Sequence, residues 1–257
     1  MNSYLKAMGI TEWVRRDVIS YSEQIIEKIE EKQEIIRVKP EMSEMKNIKE
    51  NQPITPQPMP EIAEIDSSRE KFILSLDWTN LEQRIKSCTD CPLHQERTNT
   101  VFGIGSKQAK WLILGEAPGQ EEDKQGEPFV GRAGQLLNSM LFAVGLQRSD
   151  IFIANTVKCR PPNNRDPHPT EILSCAPFLS RQIELLKPRL ILILGRVAVR
   201  RLLQKEDALG KLRGKIHEYQ NIPVVITYHP AYLLRSPSEK AKAWEDLQFA
   251  LSVASPI

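Results

Sequence analysis

Four short apolar runs constrain this chain more than any other feature. Residues 111–114 (WLIL), 151–154 (IFIA), 190–194 (LILIL) and 224–227 (VVIT) are too short for buried helices and rich in Ile, Leu and Val, so they read as buried strands. Between the first two lie Ala133, Leu136, Leu137, Met140, Leu141 and Val144, spaced three and four apart as one face of a helix. Ile172, Ala176, Leu179, Ile183 and Leu186 repeat that spacing between the second and third. Strands alternating with helices of this length predict an α/β fold, with a central four-stranded parallel sheet between two layers of helices.

Polar residues come directly after three of these strands. The first runs into Gly115-Glu116-Ala117-Pro118-Gly119, the second into Asn155, and the last into Tyr228-His229-Pro230. Turn-forming and titratable residues therefore collect at the carboxyl ends of the strands, where open α/β sheets bind their ligands.

The remainder of the chain is different in kind. Residues 1–39 read as a polar, mostly helical segment, and residues 40–74 as a disordered linker carrying Pro40, Pro53, Pro56, Pro58 and Pro60 among Glu, Ser and Asn. The folded domain is expected over 75–257. Charge divides along the same line: residues 1–80 hold 11 Lys and Arg against 15 Asp and Glu, residues 81–257 hold 24 against 18. The basic portion is the candidate for meeting a phosphate backbone. No apolar run approaches the roughly 20 residues that cross a bilayer, and the first residues lack a signal-peptide layout, so a cytoplasmic, non-membrane, monomeric protein is expected.

Four cysteines occur, Cys88 and Cys91 as C-x-x-C and Cys159 and Cys175 far downstream. A metal site, a redox dithiol and buried spectators are the competing readings. Four thiolates suit either zinc or an iron-sulfur cluster. A zinc ribbon shows two C-x-x-C knuckles, and the wide second spacing here leans toward a cluster.

The stretch Gly115-Glu116-Ala117-Pro118-Gly119, then Glu121-Glu122-Asp123, Pro128-Phe129-Val130-Gly131-Arg132-Ala133-Gly134 and Leu136-Leu137, resembles the signature of family 4 uracil-DNA glycosylases. These are the iron-sulfur members of their superfamily. The resemblance continues through Cys88-x-x-Cys91 with Arg97-Thr98, Asn155-Thr156-Val157-Lys158-Cys159-Arg160-Pro161-Pro162-Asn163-Asn164-Arg165, Cys175, and His229-Pro230-Ala231-Tyr232-Leu233-Leu234-Arg235, and covers about residues 81–253. It implies that Cys88, Cys91, Cys159 and Cys175 ligate one structural 4Fe-4S cluster, and that the domain excises uracil from DNA.

Uracil offers two carbonyl oxygens, a ring N–H between them and a flat apolar face. The resemblance assigns Phe129 to stack on it, Asn155 to read its edge and His229 to hydrogen-bond O2, with backbone N–H groups of Gly115, Glu116 and Ala117 near the other edge. Glu116 and His229 are the expected catalytic residues, because charge developing in a dry pocket is where donors and carboxylates lower the barrier most. Superfamily relatives place an Asp where this chain has Ala117, so a dedicated carboxylate base is missing there. Tyr232, Leu233, Leu234 and Arg235 are expected to enter and grip DNA, together with Arg165.

Two rivals share the resemblance: a covalent uracil-trapping branch, which uses a His absent here, and a non-catalytic iron-sulfur DNA-binding module acting in replication. An electron-transfer protein is a third. Finally, Met8-Gly9-Ile10-Thr11-Glu12-Trp13 with Arg15-Arg16 is similar to the peptide of the bacterial clamp-loader psi subunit that docks on chi. Residues 1–16 therefore read either as a helix that packs on the catalytic domain or as a peptide that recruits a partner, with chi the candidate partner that the resemblance names.

Overall fold

The computed structural model describes residues 67–254. The expectations for the helical segment 1–39, the linker as far as 66 and the chi-docking peptide lie outside the described residues.

One six-stranded sheet organises the domain, in the order β1-β3-β2-β4-β6-β5. Its members are β1 (Ile104–Gly105), β2 (Trp111–Gly115), β3 (Phe152–Asn155), β4 (Leu190–Leu194), β5 (His217–Tyr219) and β6 (Ile222–Thr227). The four expected strands form the parallel centre, with Ile113 opposite Ile153 on one side and Leu192 on the other, and Leu192 opposite Val225. The central four-stranded parallel sheet is as expected, and short antiparallel strands extend it to six at both edges. Neither Ile-Gly nor His-Glu-Tyr carries an apolar run, since an edge strand of two or three residues has little face to bury.

Alternation along the buried strands feeds two cores. Trp111 and Ile113 face α4 (Arg132–Ala143) through Leu137, Met140 and Leu141, and α9 (Lys240–Ala254) through Ala243, Leu247 and Ala250. Leu112 and Leu114 face the other way, onto Leu179, Ile183 and Leu186 of α5 (Pro169–Leu186) and Ala198, Val199 and Leu202 of α6 (Arg196–Leu203). The period of two in the strands and of 3.6 in the helices thus yields the three layers expected. Two shorter helices, α3 (Gln120–Gln125) and α8 (Pro230–Arg235), and the turn α7 (Leu209–Leu212) occupy the loops.

A third, smaller core lies beside α5. It packs α1 (Ser67–Ser75) and α2 (Trp78–Lys86) through Ile73, Leu81 and Ile85 against Phe178. Residues 67–74, expected as linker, are therefore helical and belong to the folded domain. The Pro-rich composition ends before them, and Ile73 is fully buried. Arg69 and Arg84 both reach the Asp90 carboxylate, at 2.7 and 2.6 Å, while their guanidinium groups lie 5.4 and 5.8 Å from the Phe178 ring centre. This ties both helices to the loop that bears Cys88 and Cys91. Ile73→Ala should lower the unfolding free energy by about 2–4 kcal/mol in denaturant titration. A chain beginning at residue 76 should melt below one beginning at residue 67.

Candidate active site

The chain leaves β2 toward one side of the sheet and later returns to the other, so the carboxyl end of β2 sits at the topological switch point. A cavity of about 470 Å³ opens there. Glu116 and Ala117 from the loop after β2, Phe129 from the loop before α4, Asn155 from the end of β3 and His229 at the start of α8 all line it. The Thr156 and Val157 N–H groups donate to the Gly115 and Glu116 carbonyls at 3.0 and 3.3 Å, which holds the loops after β2 and β3 together.

Gly115 packs tightly against two of the side chains that line this cavity. A Cβ there would stand 2.4 Å from Asn155 Oδ1 and 2.7 Å from the Phe129 ring, so any side chain would displace both. Asn155 is 1% exposed, and its Oδ1 is buried with no hydrogen-bond partner. A buried acceptor left in this state is disfavoured unless a ligand supplies a donor.

Phe129 adopts φ +55°, a strained conformation for a non-glycine residue. Its surroundings impose it. Arg148 donates to the Pro128 carbonyl at 2.7 Å and the Phe129 carbonyl at 3.1 Å, and Glu122 Oε1 accepts from Val130 and Gly131 N–H at 2.9 and 3.0 Å. Gly134 admits the Phe129 backbone so closely that an added Cβ would overlap its carbonyl oxygen.

The Phe129 ring centre lies 5.5 Å from that of His229. Burial, reinforced by the Arg235 charge, lowers the His229 pKa to about 4, so the ring is neutral near pH 7. Its Nδ1 accepts from Ala231 N–H at 3.2 Å. The single ring proton therefore sits on Nε2, making that atom a donor. Burial, and then the neighbouring Asp166 carboxyl, raise Glu116 to about 7, while Arg196 opposes the shift.

The expected DNA-binding residues divide. Arg165, Tyr232 and Arg235 line the cavity, and Tyr232 and Leu234 are each 37% exposed. Leu233 is a correction: it is fully buried in the core with Leu137 and Leu247, because α8 turns that side chain inward. Arg165 is held bidentately by Glu171 at 2.7 and 2.8 Å, and Glu171 also accepts from His168 N–H at the start of α5.

The four cysteines, distant in sequence, meet in the third core around Phe178. Cys159 and Cys175 are buried, Cys88 and Cys91 half-buried. Arg97 donates to Cys159 Sγ at 3.0 Å, and the Lys158 N–H to Cys175 Sγ at 3.3 Å. Among the described residues, no three His, Cys, Asp or Glu side chains converge on a point where one metal ion would sit.

Comparison with known proteins decides the family. Residues 102–248 match the uracil DNA glycosylase superfamily model. The chain belongs to the uracil-DNA glycosylase superfamily. It is 43% identical over 180 residues to a type-4 uracil-DNA glycosylase of Pyrobaculum aerophilum, covering 67% of this chain and 92% of that one. The corresponding protein of Thermotoga maritima is 45% identical, over 67% and 92% of the two chains. That of Archaeoglobus fulgidus is 41% identical, over 68% and 90%.

Several residues of this glycosylase's site are not evident from its sequence. Glu122, Pro161 and Asn164 stand out there only as parts of motifs, and Asp166, outside them, completes the wall of the cavity from the loop after Cys159. Arg148 carries no sequence signal, since its role is to bond two carbonyls some twenty residues away. Arg148→Met should leave the fold intact by circular dichroism yet lower single-turnover uracil release about tenfold, the size of losing charge-assisted hydrogen bonds.

Proposed function

We propose that this glycosylase extrudes uracil from DNA and hydrolyses its bond to deoxyribose, a base-excision repair step. The observation that carries the reading is the unpartnered Asn155 Oδ1, buried in a cavity that also presents an aromatic face and a neutral imidazole donor. The uracil ring N–H supplies the donor that this oxygen lacks. Phe129 covers the base, which only a flipped nucleotide can offer.

When the C1′–N1 bond breaks, the electron pair stays on uracil and the sugar becomes electron-poor. The His229 Nε2–H donates to the oxygen that gains charge and keeps its proton, because an imidazole with a pKa near 4 is held neutral as a donor. Water adds to C1′, the proton it gives up passes through solvent to the departing uracil anion, and Glu116, as carboxylate, orients that water and offsets the positive sugar. Ala117 offers no carboxylate for this task. The non-catalytic replication module is disfavoured, because such a module has no need of the strained, pre-organised Phe129 or the orphaned Asn155 oxygen.

The cysteine cluster supports a 4Fe-4S group held by Cys88, Cys91, Cys159 and Cys175. A cluster takes one thiolate per iron, so its ligands need not converge on one point as those of zinc do, and N–H donors to sulfur are a usual part of its surroundings. When bound, it would cross-link the Cys88–Cys91 loop, the loop after β3 and α5. Among the described residues no helix is long and apolar enough to cross a membrane. A cytoplasmic location belongs to this reading, as does recruitment of the clamp-loader chi subunit by residues 1–16, and abolition of a chi pull-down by Trp13→Ala tests the latter.

His229→Ala and Asn155→Ala should each lower single-turnover uracil release from oligonucleotides by about a hundredfold, the size of losing one donor aimed at developing charge. Near-normal rates in both would refute the pocket. Because the Glu116 carboxylate is the working form, kcat/KM should rise with pH through about 7 and level off above it. In Glu116→Gln that rise should vanish. The purified protein should be brown, with a broad band near roughly 400 nm, and colourless, zinc-loaded, active protein would exclude the cluster.

A further inference from the structure

Lys158 has no place in the uracil-release chemistry, yet it is a lysine with 1% of its surface exposed. Its Nζ donates to the Asn155 carbonyl at 2.8 Å and to Gln182 Oε1 at 2.6 Å. Gln182 is fully buried and passes the chain of bonds on to the Phe102 carbonyl at 2.8 Å. Both acceptors of the ammonium are neutral, and no carboxylate forms an ion pair with it among the described residues. A buried ammonium is strongly disfavoured without a counter-charge. The nearest groups that carry charge when a cluster is bound are thiols: the backbone N–H of Lys158 donates to Cys175 Sγ at 3.3 Å, and Cys159 is the next residue.

That same ammonium grips the peptide of the base-reading residue. Asn155 ends β3, and its free Oδ1 must face the uracil edge. The Lys158 bond fixes the carbonyl of that residue from below.

We propose that Lys158 is a positioning residue joining the iron-sulfur cluster to the uracil pocket: its ammonium balances the cluster thiolates, and its hydrogen bond holds Asn155 in register with the base. The inference rests on the 4Fe-4S reading of the four cysteines. It accounts for a buried lysine that bonds both the cysteine group and the strand end carrying Asn155.

The test compares holoenzyme with Lys158→Met and with Lys158→Gln, which is neutral and one bond shorter, so that either variant suffices if the other does not fold. Iron and acid-labile sulfide are first measured in the unchanged chain, and absence of both refutes the cluster itself. With the cluster present, each variant should shift its reduction potential to lower values, because removing a nearby positive charge disfavours the added electron. An unchanged potential overturns the charge-balancing role. In the second readout, each variant should lower kcat/KM on uracil-containing DNA about tenfold but have little further effect in an Asn155→Ala background. Full additivity of the two substitutions overturns the positioning role.

Discussion

The site depends on one short piece of backbone, the peptide that leaves β3. Residues 155–159 are all buried, and each has a different partner. Asn155 turns its amide to the cavity, Thr156 and Val157 bond the carbonyls of the loop after β2, Lys158 runs beneath the strand end, and Cys159 joins the cysteine group. Buried polar backbone must be satisfied, and here those obligatory bonds link the substrate pocket to the third core. A shift of this segment would move the Asn155 amide and the Cys159 thiol together.

Around that segment the cavity is pre-organised by strain and close contact. Phe129 is held at positive φ by an arginine, a carboxylate and a glycine that come from three different places in the chain. Gly115 leaves room for Asn155 and the ring and for nothing else. The electrostatics are equally arranged: burial keeps His229 neutral with its proton on Nε2, whereas burial beside Asp166 brings Glu116 to titrate near neutrality. One dry environment thus pushes an imidazole and a carboxyl in opposite directions along the pH scale, each toward its uncharged form.

The stretch after His229 shows how local pattern misleads. Tyr232, Leu233, Leu234 and Arg235 read as a wedge with a flanking cation, but a helix points successive side chains about 100° apart. Leu233 consequently enters the core while Tyr232 and Leu234 remain outside. A contiguous apolar set in sequence became two opposite faces once α8 formed.

Much of this protein was legible in its sequence because the relevant signals are short-range. Period two against period 3.6 marked the four inner strands and the helices that sandwich them, and the polar residues at the strand ends marked the ligand-binding edge. The motifs single out Glu116, Phe129, Asn155 and His229, which the fold brings together around one cavity. The tertiary structure alone decided what depends on approach between distant segments: the two edge strands, the helix at Ser67–Ser75 packed on α5, the Arg148 clamp on Phe129, the Arg165–Glu171 pair and the burial of Lys158. A lysine or arginine reads as a solvated charge in sequence. Whether it is one depends on which carbonyls and sulfurs the fold brings within reach of its donors, and the order of residues along the chain does not encode that locally.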